Sequence, residues 1–273
     1  MYFYGKCLGE NMELINARHT IVVCAEIAFL LIALAACGDD GSDFAARPDG
    51  TVPASSASKT NASFGTMTDE RDGQTYRTVK IGDQTWMAEN LNFETENSLC
   101  IYDSVELCAQ FGRLYPWSVA MDSAGTWSEN GKGCGRGKKC VYQVGLQEPR
   151  FRGVCPEGWH LPNDNEWSSL IYAVTTAVGH YDYSDAAGFL KSSTGWAKDG
   201  NGTDDYGFSA LPAGCMDSWG YGGQLGLEAH FWTSTEEDEE KADKMHFTHS
   251  NDVWYMYSTD KKSGRSVRCV MDE

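Results

Sequence analysis

The segment "GVCPEGWHLPNDNEWSSL", residues 153–170, gathers a cysteine, a histidine, two tryptophans and carboxylates. Either it is a reactive cluster or it is the beginning of a helix. Pro162 cannot sit inside a helix, and Asn163 after it is a favoured N-cap. Glu166, three residues on, completes a capping-box spacing. Asp164 and Glu166 also put negative charge at the positive end of the helix dipole. Trp167, Leu170, Ile171, Val174 and Val178 then recur at i, i+3, i+4 and i+7, one apolar helical face. Leu161 is placed to staple back onto Trp167, and His160 beside Trp159 reads as a packed histidine. The stretch therefore predicts one docked amphipathic helix.

Working outward, "YRTVKIGDQTWMAENL" alternates side chains up to Ile81, turns at Gly82–Asp83 and returns through Gln84–Met87, a hairpin pattern. In "SLCIYDSVELCAQFGRLYPW", Asp103 or Ser104 caps a short helix carrying Val105, Cys108 and Phe111 and ending at Gly112. Cys100 and Cys108 flank that cap closely enough for a local disulfide, and Cys134 and Cys140 bracket a Gly/Lys loop in the same way. A cysteine metal site is the alternative for either pair, although no nearby histidine completes a ligand set. "SDAAGFLKSSTGW" suggests a second short helix capped by Ser184, with Ala187, Phe189 and Leu190 inward. The last third, "HFWTSTEED", "KMHFTHS", "DVWYMYS" and "RSVRCVM", reads as short strands. Glu236 to Glu240 reads as a solvated acidic turn between two of them.

The chain has 273 residues and a net charge of −17 at pH 7. Such a balance repels phosphate backbones, which excludes nucleic acid as an expected partner. Ten cysteines without any C-x-x-C argue for disulfides in an oxidising compartment rather than for zinc ribbons or thioredoxin-type chemistry. Residues 27–36, "IAFLLIALAA", form an apolar run of secretory length, too short to span a bilayer comfortably. It ends in "LAAC", which resembles a bacterial lipobox, with Cys37 as the diacylated residue. The expected organisation is thus a signal peptide over 1–36 (Met12 is an alternative start), a lipidated acidic and Ser-rich tether over 37–66, and a folded domain over 67–273. An uncleaved anchor, or a signal peptide ending in an unmodified cysteine, is the alternative. "GDDGSD" after Cys37 resembles the signal that sends some lipoproteins to the outer cell face, so the expected location is the outer membrane or cell surface.

Two loops are candidate binding sites. In "KDGNGTDDYGFSALPAG", Asp199, Asn201, Asp204 and Asp205 are candidate calcium ligands. The EF-hand form fails, because Asp204 and Ala210 stand at its glycine and glutamate positions. In "GCMDSWGYGGQLG", Trp219 and Tyr221 among glycines could stack a sugar ring. His246 and His249 lie three apart, which on a strand sends them to opposite faces, so they are poor joint ligands. No G-x-S-x-G, H-E-x-x-H, P-loop or G-x-G-x-x-G is present.

"YRTVKIGDQTWMAENLNF", "CAQFGRLYPW", "GVCPEGWHLPNDNEW", "DDYGFSALPAG", "FWTSTEED" and "SVRCV" together resemble the Fibrobacter succinogenes major paralogous domain, in family order across residues 68–272. The family is one of secreted bacterial modules of undefined biochemical role. "WHLPNDNEWSSL" is also similar to the "RLPTEAEWE" segment of formylglycine-generating enzymes. That resemblance implies a C-type-lectin-like α+β fold, with small twisted antiparallel sheets, two main helices and long irregular loops. Their oxidase uses a copper-binding cysteine pair in the C-terminal part. Here Cys215 and Cys269 are the two cysteines after residue 155, and nothing between them completes such a pair. With Cys37 lipidated, the expected pairings are the local 100–108 and 134–140, to which the resemblance adds 155–269, leaving Cys215 over. The long-range pair would tie the start of the helix to the final strand, as C-type-lectin-like domains often do. The expected function is a non-catalytic, lipid-anchored surface module that binds polysaccharide or protein. The alternatives are a divergent formylglycine-type or other metal-assisted oxidase, which needs clustered Cys, His or carboxylate ligands in one cleft and fails if Cys215, His230, His246 and His249 all lie far apart, and a purely structural envelope protein.

Overall fold

The structure is a computed structural model and describes residues 62–140, 150–177, 179 and 183–273. The apolar run, Cys37 and most of the tether lie outside the described residues. In chain order the elements are β1 (Ser63–Thr68), β2 (Thr75–Ile81), β3 (Gln84–Met87), α1 (Val105–Phe111), α2 (Trp117–Ala120), β4 (Trp159–His160) and α3 (Asp164–Ala177). There follow α4 (Ala187–Leu190), β5 (Cys215–Met216), β6 (Gly222–Gly223), β7 (Glu228–Glu236), β8 (Lys241–Thr248), β9 (Trp254–Asp260) and β10 (Val270–Met271). The architecture is α+β. One antiparallel sheet has the order β1-β2-β3-β10-β4, another β7-β8-β9, and β5-β6 is a small ribbon. Among the described residues no helix is long and apolar enough to cross a membrane.

The predicted hairpin forms with Val79 opposite Trp86, and Gly82 takes the left-handed turn position at φ +61°. β1 adds an edge strand, Ser63 opposite Lys80, so regular structure starts inside the stretch read as tether. That edge is made by backbone ladder bonds, and its side chains are mostly exposed, so it leaves no apolar alternation to read. α1 begins at Ser104, whose Oγ accepts from Leu107 N–H at 3.3 Å, and stops at Gly112, φ +77°. Cys108 and Phe111 are buried, whereas Val105 is exposed.

α3 begins as expected. Asn163 Oδ1 accepts from Glu166 N–H, Glu166 Oε2 accepts from Asn163 N–H, and both bonds are 2.9 Å. Trp167, Leu170, Ile171 and Val174 are buried, and Val178 lies outside the described residues. Trp167 seats between the two larger sheets, 4.7 Å from Trp86 and 5.5 Å from Phe231 between ring centroids. Burial of side chains this large stabilises by about 2–3 kcal/mol each. Leu161 does not staple onto Trp167. It belongs to a second cluster with Tyr115, Trp117, Val154 and Trp232, because Leu161 is bridged to Phe151 on the other side of β4. Nor is Ser184 the cap of α4. It lies in a separate 3-10 turn, Tyr183–Asp185, and Ala186 precedes α4 without a side-chain cap.

Disulfides join Cys100 to Cys108, Cys134 to Cys140 and Cys155 to Cys269, the pairs expected above. Cys215 is not left over, because it too is disulfide-bonded. The acidic turn is only partly solvated. The Glu236 side chain is largely covered and meets Lys261 Nζ at 2.6 Å, since the fully buried ammonium requires a counter-charge.

Asp243 of β8 is half-buried beside Asp164. Burial first, then the Asp164 charge and their shared hydrogen bond, push its carboxyl up to about 7. The folded chain therefore holds this proton more tightly than the unfolded chain, whose aspartate titrates near ~4. The stability this contributes is complete below that value and is lost as pH rises through about 7. Asp243→Asn is accordingly expected to gain melting temperature relative to the native chain between pH 5 and pH 8, read by thermal denaturation. Parallel pH profiles would contradict this.

Candidate functional site

The β7-β8-β9 sheet has two chemically different faces, because side chains alternate along each strand. Ala229, Phe231, Met245 and Phe247 enter the first core. The opposite face carries Glu228, His230 and Trp232 of β7, Lys244 and His246 of β8, and Tyr255 and Tyr257 of β9. Register sets His230 opposite His246 and Tyr255, and Trp232 opposite Lys244 and Tyr257.

The His230 and His246 rings stack at 4.4 Å with 6° between planes. His230 Nδ1 lies 3.1 Å from Lys244 Nζ, and its Nε2 lies 2.9 Å from Glu228 Oε2. His246 Nδ1 lies 3.1 Å from the Tyr257 hydroxyl. Its Nε2 is buried without a hydrogen-bond partner, 3.6 Å from the same Glu228 oxygen. An unmet buried polar atom costs about 1–3 kcal/mol. One ligand atom from each of Glu228, His230 and His246 lies within 4.8 Å of the others, and among the described residues no other three His, Cys, Asp or Glu side chains converge in this way.

Burial, then the charges of Lys244, His246 and Arg265, holds His230 well below the ordinary histidine range, so it is neutral. Its Nδ1 then accepts from Lys244, and Nε2–H donates to Glu228. Burial and Arg265 likewise depress the Lys244 ammonium. Burial works against the Glu228 carboxylate, yet His246, Lys244 and Arg265 outweigh it and bring the group below its usual range. Arg265, fully buried, donates to Met216 O at 2.8 Å and Gly264 O at 2.9 Å.

Met216 leads into the aromatic loop. Asp217 Oδ1 accepts from both Trp219 N–H and Tyr221 N–H at 2.9 Å, and Asp217 N–H donates to Tyr221 O at 3.0 Å. Gly220 supplies the positive φ of +89° that this turn requires. Trp219 is 84% exposed and Tyr221 73%. Tyr102, also exposed, borders the same ribbon, since a Cβ on Gly222 would stand 3.3 Å from its ring. Arg265 and the Gly214 N–H to Glu228 O bond (2.8 Å) tie the base of this loop to the histidine face.

The other sequence candidates are placed differently. Asn201 Oδ1 accepts from Trp196 N–H at 3.0 Å. Asp204 accepts from Ser209 N–H at 2.7 Å and from Ser209 Oγ at 2.5 Å. Asp199, Asp204 and Asp205 are not brought into a group of three ligand atoms. His160 is buried between Asp272 (2.6 Å) and Glu166 (2.7 Å), bonds that fasten the start of α3 to the end of the chain. His246 and His249 do point apart, and His249 faces Leu227 O at 3.3 Å. The partner of His246 is instead His230, on the neighbouring strand. His230 and His246 meet beside Glu228, so the four residues do not all lie far apart, while Cys215 is held in a disulfide and His249 faces Leu227 O.

An α+β domain stitched by disulfides, with a polar sheet face and an aromatic loop beside it, is the class that these features define. The family described as the Fibrobacter succinogenes major domain matches residues 79–271, from within β2 to the end of β10. The chain belongs to this family. No curated protein and no solved structure matches it.

Asp217→Ala removes both side-chain bonds that shape the aromatic loop. It is expected to raise chymotrypsin cleavage at Trp219 and Tyr221 severalfold with little change in melting temperature, while Asp217→Asn, which keeps Oδ1, retains resistance. Equal cleavage of all three proteins would show that Asp217 does not hold the loop.

Proposed function

We propose that this protein is a lipid-anchored module of the bacterial cell surface that binds polysaccharide without transforming it. The observation that carries the reading is the Trp219–Tyr221 platform, two rings 84% and 73% exposed on a turn fixed by one carboxylate. Large apolar surface left in water costs about 25 cal/mol per Å², which a stacked sugar face would recover. A preorganised turn also loses little entropy when it binds. The net charge of −17 disfavours anionic polymers, so the expected ligand is a neutral glycan. Small antiparallel sheets, irregular loops and a disulfide from the start of α3 to the last strand are compatible with a C-type-lectin-like arrangement. Diacylation of Cys37 would place the domain on a tether at the outer membrane or cell surface. The disulfide at Cys215 argues against a copper-cysteine oxidase.

The test is a titration of the full-length chain against neutral plant and bacterial polysaccharides. The native chain is expected to bind, and Trp219→Ala with Tyr221→Ala is expected to weaken binding at least tenfold. Unchanged binding would move the site elsewhere. Absence of any glycan ligand would favour a purely structural envelope role. A chelator is expected to leave binding unchanged, because Asn201 and Asp204 already accept protein hydrogen bonds. A calcium requirement would assign the Asp199–Asp205 loop to the site. For location, Cys37→Ser is expected to move the protein from the membrane to the soluble fraction. Retention of this variant in the membrane would show that an uncleaved apolar run holds it there.

A further inference from the structure

We propose that Glu228, His230 and His246 form a binding site for a divalent transition-metal ion of the zinc type. The proposal is independent of the polysaccharide reading. Both imidazoles are fixed through Nδ1, His230 by Lys244 and His246 by the Tyr257 hydroxyl, each at 3.1 Å. Both Nε2 atoms therefore face one oxygen, Glu228 Oε2, at 2.9 and 3.6 Å. Partners on the far ring nitrogen are what orient metal-bound histidines. A metal on His230 Nε2 replaces the proton that this atom donates to Glu228, so the imidazole proton shifts to Nδ1 and Lys244 must release a proton to accept it.

The spacing suits a small ion. Zinc bonds of about 2.0–2.1 Å in tetrahedral geometry place ligand atoms roughly 3.4 Å apart. Two of the three separations already bracket that value, and all three atoms lie within 4.8 Å. Closure requires the two stacked rings, 6° apart, to tilt so that both Nε2 lone pairs meet the ion.

A second, independent observation points to a ligand. His246 is 8% exposed, and its Nε2 is aimed at this point with no hydrogen-bond partner. A bound cation would use that lone pair. The donor set, two imidazoles and one carboxylate, favours Zn²⁺ over Ca²⁺ or Mg²⁺, which prefer all-oxygen ligands. Three protein ligands also leave a fourth position for water, on the side where Glu228, Tyr255 and Tyr257 are partly exposed. Lys244 and Arg265 are cationic neighbours and work against a dication, so the affinity is lower than that of an isolated triad.

The experiment is titration calorimetry of the full-length chain with ZnCl₂, alongside CaCl₂ and MgCl₂, repeated on Glu228→Gln and His246→Gln. Glu228 lies at the partly exposed edge, so its amide variant should fold, as near-ultraviolet circular dichroism would verify. The expected result is a Zn²⁺ site in the native chain weakened at least tenfold in each variant, with no comparable response to Ca²⁺ or Mg²⁺. Absence of Zn²⁺ binding by the native chain, or unchanged Zn²⁺ binding by folded Glu228→Gln, would overturn the proposal. The second outcome would assign the ion to other cysteines or histidines of the chain.

Discussion

The last strand is two residues long, and it holds the two larger sheets together only because its flanks are clamped. Val270 pairs with Trp86 on one side and His160 on the other. Just before it, Cys269 is disulfide-bonded to Cys155, and just after it, Asp272 meets His160 at 2.6 Å. A little upstream, Ser266 N–H donates to His230 O and Ser266 O accepts from Trp232 N–H, both at 3.0 Å. The segment from Arg265 to Asp272 therefore knits β7 to β3 and β4. A strand this short has too few ladder bonds to stay by itself. A disulfide spanning 114 positions, worth about 4–5 kcal/mol in the chain-entropy account, supplies the missing constraint.

The same segment delivers two of the buried cations, Arg265 and Arg268. Although the chain is strongly acidic, Lys244, Lys261, Arg265 and Arg268 are all essentially buried. A buried charge is tolerated only with partners. Arg268 has Asn90 Oδ1 at 2.9 Å, Ser209 O at 2.6 Å and Phe208 O. Lys261 has Glu236 and the Asp238 carbonyl at 2.7 Å. Arg265 and Lys244 instead flank the histidines, where they keep His230 neutral. The acidic exterior and cationic interior are thus separate devices, one for solubility and one for fixing loops that contain little regular structure.

What could be read from the sequence was local. The α3 capping box, the Gly82–Asp83 turn, the Ser104 cap and the two short disulfide loops each depend on residues within about ten positions of one another. The direction taken by Leu161 was not local, since its neighbours Tyr115 and Trp232 come from distant parts of the chain. β1 carried no apolar pattern because its contribution is backbone pairing. The exposure of Trp219 and Tyr221 was legible from the surrounding glycines, but the role of Asp217 required the folded turn. The pairing of His230 with His246 was the clearest omission. Comparing His246 with His249 along one strand correctly separated them, whereas the relevant neighbour lay across the hairpin. Centring that hairpin on Asp238 would have placed 230 opposite 246, as the register has it.

The central claim is that the clamped C-terminal segment is part of the global folding unit rather than a docked tail. Native-state hydrogen exchange tests it directly through the amides of Met87 and Leu91, which donate to Cys269 O and Val267 O. The account predicts that both exchange only on global unfolding, with the same opening free energy as the buried α3 amides around Leu170 and Ile171. Exchange of Met87 and Leu91 through a lower-energy local opening, while α3 stays protected, would contradict it.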